Sequence, residues 1–437
     1  MSKKKKNTNL DFLSFLNHAT SPYHTILSCC SHLEKSGFEA LNFTESWKLV
    51  PDKAYYTIIY GTTLFAFHVG NQVSEKSSKF HIIASHTDHP GFRIKPFPSI
   101  YEKGYLKLNT ETYGGAILNS WFDRPLSIAG KVVLKSEEIF HPNVQYFDYQ
   151  SPLLIIPNLA IHMNRKVNSG IELNKQQDML PIFSLEEKTD MSKDSFISFL
   201  SKELKVAYED ILDYDLSVYN PEPGCKLGLN QEFLSAPRID NLSSVYTSLK
   251  ALCQTDSLNP SIITVAAFYD NEEVGSSTKQ GADSYLTQIL MEKIYEGLSF
   301  SRDSLNNSIA NSFLLSADVA HGYHPNYGGK SDPTNLVSLG KGVVLKMNSS
   351  QRYATDTEAI GAVVQLCNLF DIPYQKFVNR SDMAGGSTLG SILSSHLPMH
   401  TVDLGIPILA MHSARETACE EDLQSLLALC QAFYQEG

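Results

Sequence analysis

One stretch limits what this chain can fold into more than any other: Ser261 to Ser276, SIITVAAFYDNEEVGS. Ile262 to Phe268 is an apolar run of strand length, rich in β-branched residues and free of Gly and Pro. Such a run suits a strand covered on both faces, as in the mostly parallel sheet of an α/β domain. It stops at Asp270-Asn271-Glu272-Glu273, and Gly275 follows. Open α/β sheets place their chemistry at the carboxyl ends of strands. Adjacent carboxylates repel, so a pair at a buried strand end needs a compensating cation. A metal would supply it, with Glu273 as ligand and Glu272 left free to move a proton. Taken alone, the same residues read equally well as an acidic loop facing water, so the other strand ends must decide.

The chain has 437 residues, more than one compact core usually holds, so two domains are expected. Its net charge of -11 argues against a nucleic-acid surface. No apolar run approaches the roughly 20 residues that a membrane helix needs. Lys3 to Lys6 are followed by Asn7, Thr8 and Asn9 rather than an apolar segment, which reads as a solvated tail and not a secretory signal. The seven cysteines are scattered and form no CxxC pair, which reads as reduced thiols in a cytoplasmic protein.

Other strand ends repeat the pattern. His81 to Ser85 is a short buried-strand candidate that runs into His86-Thr87-Asp88-His89. Residues i and i+2 of an extended chain point the same way. His86 can therefore bind a metal while Asp88 holds a neighbouring group, and His89 points to the other face. Asp240, in Pro237-Arg238-Ile239-Asp240-Asn241, sits where a helix bearing Leu242, Val245, Leu249 and Leu252 begins. It reads as an N-cap or as a carboxylate bridging two metals. Phe313 to Ala317 ends in Asp318, with His321 and His324 close behind. Val343 to Met347 is a strand that buries Lys346 unless Lys346 points into a pocket. Met399 to Gly405 leads on to His412. His86, Asp240, Glu273, Asp318 and His412 together would give each of two divalent ions three protein ligands, with one carboxylate shared. Mixed imidazole and carboxylate favours zinc, with manganese or cobalt as substitutes.

Elsewhere the patterns are structural. Asp11 to Asn17 and Tyr23 to Ser36 read as helices, and Tyr55 to Tyr60 and Thr63 to Val69 as a hairpin around Gly61. Tyr101 to Thr110 alternates with period two and reads as one strand. Ile128 to Leu134 and Leu153 to Ile156 read as further strands, and Ser192 to Asp213 as helix. Asp123 and Arg124 form a couple able to pair. His162, at the end of an apolar run, reads locally as a core or interface histidine. Asp382 to Thr388 is a glycine-rich turn into a helix that could offer N–H groups to an anion. The last helix reads as starting with a capping box, Thr417 and Glu420.

The blocks SHTDHPGF, YGG with WFDRPLS, IPNLAIHM, EFLSAPRIDNL, DNEEVGS, SADVAHGYHPNY, QRYAT, GGSTLG and LAMHSARE, in that order, resemble the aspartyl aminopeptidase family of dinuclear zinc metallopeptidases. The resemblance implies a zinc-peptidase-like α/β catalytic domain, with a central mostly parallel sheet flanked by helices, over residues 1–97 and 235–437. It also implies an inserted β-rich dimerisation domain over 98–234. His86 and Asp318 would hold one zinc, Glu273 and His412 the other, and Asp240 would bridge them. Asp88 would orient the first ligand set, and Glu272 would be the general base that takes a proton from the metal-bridging water. His321, His324, Lys346 and Tyr353 would bind substrate, Lys346 meeting an acidic side chain. His162 would reach a neighbouring subunit's active site in a dodecamer built from dimers. The expected activity is removal of an N-terminal residue, preferably Asp or Glu, from peptides. His89, in place of a smaller residue, and Met383-Ala384-Gly385, in place of Pro-Cys-Gly, depart from the family pattern.

Overall fold

The computed structural model describes residues 11–185, 193–255 and 257–436. The lysine run Lys3 to Lys6 lies outside the described residues. Two sheets dominate the described chain.

The larger sheet has nine strands. They lie in the order Glu39–Ala40, Lys53–Ile59, Thr63–Val69, Ile263–Tyr269, Phe80–His86, Phe313–Ala317, His400–Gly405, Val343–Lys346 and Tyr374–Phe377. Its centre is parallel: Ile263–Tyr269, Phe80–His86, Phe313–Ala317 and His400–Gly405 run side by side in one direction. Every residue of Ile263–Tyr269 and Phe80–His86 is buried, as strands covered on both faces must be. One face carries the helices Pro22–Lys35, Ile239–Gln254, Thr357–Leu369 and Glu420–Gln435. The other carries Leu286–Gly297, Arg302–Ala310 and Leu389–His396.

Register fixes what emerges at the carboxyl edge. Tyr269 pairs with His86, and Ala317 with Leu404. The chains that leave these strands, Asp270–Glu273, Thr87–Asp88 and Asp318, therefore surface side by side. Asp240 arrives from a different direction, at the start of Ile239–Gln254, which packs on Phe80–His86 and Ile263–Tyr269.

The second sheet is antiparallel, in the order Asn143–Asp148, Ser127–Leu134, Ile211–Tyr219, Gly91–Glu102, Tyr105–Tyr113 and Ile182–Ser184. It has a core of its own around Phe92, Leu108, Trp121, Ile128, Phe196 and Leu216. Gly91 pairs with Tyr113, so the hairpin that leaves the His86 loop returns to the same place and delivers Gly114-Gly115 there.

Several readings of the sequence need correction. Tyr101 to Thr110 is not one strand. Lys103 and Gly104, both at positive φ, turn the chain between two strands, and Tyr101 on the first pairs with Leu106 on the second. Ser192 lies outside the described residues; from 193 on, α-helix covers only Ser195–Leu204, a 3₁₀ turn follows at Tyr208–Asp210, and Ile211–Tyr219 is a strand whose inner residues pack on the second sheet's core. Leu153 to Ile156 contributes isolated bridges rather than a strand. The last helix has no capping box. Thr417 lies in the strand Glu416–Cys419, and Glu420 is the first helical residue after Cys419. Asp123 and Arg124 do not pair with each other: Arg124 meets Glu222 at 2.7 Å, and Asp123 accepts from Asn158.

His81 ties the sheet to the last helix. Its ring stacks on Phe433 with centroids 4.5 Å apart, and Nδ1 lies 2.9 Å from the Phe433 carbonyl. Burial pushes its pKa down from 6.5 to about 4. The neutral ring is thus favoured in the fold, and stability present above pH 6.5 is lost as pH falls towards 4. The loss from this group is on the order of 3 kcal/mol. His81→Phe keeps the stack but leaves the carbonyl unpartnered. It should lower stability at pH 7 by about 1 kcal/mol while flattening the fall in melting temperature between pH 6.5 and 4.

Candidate metal centre

Two imidazoles and four carboxylates meet at the carboxyl edge of the large sheet. His86 Nε2 lies 3.4 Å from Asp240 Oδ1, 3.6 Å from Asp318 Oδ1 and 4.0 Å from Glu272 Oε2. His412 Nε2 lies 3.3 Å from Asp240 Oδ2 and 3.4 Å from Glu273 Oε2. Two groups with ligand-like spacing result, His86–Asp240–Asp318 and Asp240–Glu273–His412. Asp240 belongs to both, offering one oxygen to each. A third such group, His86–Glu272–Glu273, overlaps the first two.

The backbone sets both tautomers. His86 Nδ1 is 3.0 Å from the carbonyl of Asp88, and His412 Nδ1 is 3.2 Å from that of Gly115. A carbonyl only accepts, so each Nδ1 carries a proton, and Nε2, which faces the carboxylates, is the nitrogen left able to bind a cation.

The donor set fits divalent cations. Asp240 Oδ1 and Glu273 Oε1 are buried and accept no hydrogen bond. Burial pushes the Glu272 carboxyl up to about 8, with Asp318, Asp88 and Asp240 adding to the rise against the pull of His86. Burial and Asp240 raise Glu273 well above the carboxylate range. Burial alone would depress His86, yet Asp240, Asp318 and Asp88 hold its pKa well above the usual value. Four carboxylates against two imidazoles leave the cluster short of positive charge, which divalent metal supplies.

Asp88 does more than face His86. Its oxygens accept the amides of Glu272 and Glu273, each at 3.1 Å, and the Tyr113 hydroxyl at 2.7 Å. Asn271 Nδ2 donates to the same hydroxyl at 2.9 Å. Asp88 thus clamps the loop that carries both glutamates, while its carboxylate is 3.4 Å from His86 Nδ1. Glu416, which sequence reasoning gave no role, does the same on the other side. It accepts His412 N at 2.8 Å and Asp240 N at 3.0 Å. It is buried, and burial followed by Asp240 raises its carboxyl to about 8. His412 and Asn271 hold left-handed φ of 68° and 63°. Non-glycine residues rarely adopt that region, and here side-chain hydrogen bonds enforce it.

The YGG block has a steric reason. Gly114 has φ +66°, and a Cβ there would meet Glu273 Cβ at 3.1 Å. A Cβ on Gly115 would meet His412 Nδ1 at 3.3 Å. Its place in the sequence, at the end of an alternating strand, is the only local sign that Tyr113 matters. Nothing local singles out Glu416.

A cavity of about 390 Å³ opens on the cluster. Lys346, Tyr353, His321 and the Gly386–Thr388 turn line it beside the metal-ligating residues. Lys346 is buried, and Nζ lies 3.0 Å from the Asp318 carbonyl, 3.1 Å from that of Val319 and 3.5 Å from Asp318 Oδ2. Its Nζ is also 5.2 Å from the centre of the Tyr353 ring. His321 packs on Phe377. His324 lies outside the cavity lining, against Tyr327. His162 is exposed in the turn 161–163 and takes no part in the lining. His89 has a buried, unpartnered Nδ1 and borders a small cavity behind Asp240 and His412.

Comparison with known proteins agrees with this chemistry. Residues 15–434 match the family described as aminopeptidase I zinc metalloprotease (M18). A probable M18 family aminopeptidase 2 of Clostridium novyi is 43% identical over 436 residues, covering 99% of this chain and 100% of the relative. The structure resembles one from the cryo-EM complex of Ape4 and Nbr1, with a TM-score of 0.92 and 34% identity, over 97% of this chain and 85% of that one. It also resembles crystalline prApe1, with a TM-score of 0.90 and 25% identity, over 98% and 94%. The chain therefore belongs to the M18 family of zinc metallo-aminopeptidases, a family of hydrolases.

Proposed function

We propose that the chain holds two zinc ions per subunit and uses them to remove an N-terminal residue, preferably Asp or Glu, from peptides. The observation that carries this reading is Asp240, one buried carboxylate facing two imidazole Nε2 atoms with a separate oxygen. In this reading His86 and Asp318 hold one ion, Glu273 and His412 hold the other, and Asp240 bridges. Manganese or cobalt would suit the same donors. Zinc bound there would polarise the scissile carbonyl, lower the pKa of attacking water and favour the carboxylate form of Glu272.

Glu272 is the proton carrier. Its carboxylate stands at the edge of the cluster and its amide is fixed by Asp88, which positions it without using its own oxygens. A base so placed takes the proton from the attacking water and returns it to the leaving amine. Tyr353 and His321 bind substrate within the cavity, and His324 lies at its approach. His162 serves a neighbouring copy in a homo-oligomer, by resemblance a dodecamer built from dimers, joined through residues 98–234. The exposed Ile161 and Met163 beside His162 support an interface there. Seven free cysteines support a cytoplasmic location. No helix among the described residues is long and apolar enough to cross a membrane.

Preference for an acidic residue draws on Lys346, the cation in the cavity wall. A neutral or broad preference is the second reading, favoured by the same residue: Asp318 and two carbonyls already surround its ammonium group.

Three measurements test these statements. Metal analysis of purified protein should give two zinc ions per subunit; chelation should abolish activity and lower the melting temperature. One ion at full activity would overturn the dinuclear reading. Glu272→Gln should keep the zinc and lose about 10²- to 10⁴-fold in kcat; unimpaired turnover would remove Glu272 from the proton path. Peptides starting with Asp should be cleaved faster than those starting with Leu, and acetylated peptides not at all. Equal rates for Asp and Leu select the broad preference, and cleavage of acetylated peptides excludes an aminopeptidase.

A further inference from the structure

Asp403 lies wholly buried in the strand His400–Gly405 and does not line the cavity. It is nonetheless the point on which two cavity walls hang. Its Oδ2 accepts the Ala354 amide at 2.6 Å, next to Tyr353. Its Oδ1 accepts the Thr388 hydroxyl, at the end of the Gly386–Thr388 turn. The Asp403 amide donates to Thr355 Oγ1 at 2.9 Å, a second tie to the Tyr353 loop. A Cβ on Gly390 would stand 2.5 Å from Asp403 Oδ2, so only glycine lets the first turn of Leu389–His396 seat on this carboxylate. A negative group at a helix N-terminus is favourable. The Thr388 hydroxyl is what ties the glycine-rich turn to this carboxylate.

The strand register extends the arrangement. Asp403 is directly opposite Lys346 in the antiparallel pair, so the two side chains share a face of the sheet. Lys346 in turn meets Asp318. A row of alternating acidic and basic residues, Asp403 and Lys346 buried and Asp318 partly exposed, runs from the two wall loops to the metal cluster.

We propose that Asp403 is a positioning residue that sets the shape of the substrate cavity by anchoring the Tyr353 loop and the Gly386–Thr388 turn, and so governs how well the N-terminal residue fits. It touches neither the reacting atoms nor Glu272. Its loss therefore acts on substrate fit rather than on the proton path. This rests on the reading of the cavity as the aminopeptidase site.

The test is steady-state kinetics of Asp403→Asn and Thr388→Val on peptides with N-terminal Asp and Leu, with zinc content measured on each sample. The asparagine amide cannot accept both loop donors, and valine removes one donor while keeping its shape. KM should rise about tenfold in Asp403→Asn and about threefold in Thr388→Val, with kcat within about threefold and zinc retained. The Asp-to-Leu preference should change in both. An unchanged KM with zinc retained, or a loss of kcat in step with a loss of zinc, overturns the proposal. Thr388→Val decides the matter if Asp403→Asn does not fold. A wild-type protein that releases no N-terminal residue fails the underlying reading instead, before the variants are compared.

Discussion

Four carboxylates stand within a few ångströms of one another at the edge of the large sheet, and much of the surrounding structure exists to hold them there against their repulsion. Desolvation and like charge both oppose such a cluster. Two imidazoles offset part of the charge. Asp88 and Glu416 sit on opposite sides, each accepting two amides from the segments that carry the ligand-type residues. Neither is close to the cavity opening, yet each fixes two members of the cluster at once.

The parallel strands make this possible. Their common direction brings chain segments far apart in sequence to one edge, and register decides which residues meet there. Tyr269 beside His86 puts the two loops with the most carboxylates in contact. A one-residue slip would send His86 to the opposite face. The buried residues of Ile263–Tyr269 and Phe80–His86 therefore position the site as firmly as any hydrogen bond in it.

How legible was this in the sequence? Thr63–Val69 and Phe313–Ala317 can be read with their observed bounds, because unbroken apolar runs between turn residues have few alternatives. His86, Glu273 and Asp318 announce themselves as polar residues ending such runs. Asp240 does not: a carboxylate at a helix start is common, and only the arrival of both imidazoles separates this one from an N-cap. The turn at Lys103-Gly104 escaped notice because a single glycine, with no Asn-Gly or Asp-Gly pair, marks it. The segment Ile211–Tyr219 followed a helix without a Gly or Pro to mark the change. Glu416 and Asp403 stayed silent because each binds at least one group from a distant loop, Asp240 N and Ala354 N respectively, which leaves no trace in local pattern.

Gly115 links the two sheets in a way that reaches beyond sterics. Its carbonyl belongs to the returning hairpin of the antiparallel layer, yet it dictates which nitrogen of His412 is protonated. The protonation pattern of a ring in one layer is thus written by the backbone of the other. The antiparallel layer thus helps to orient a ring that stands at the edge of its neighbour.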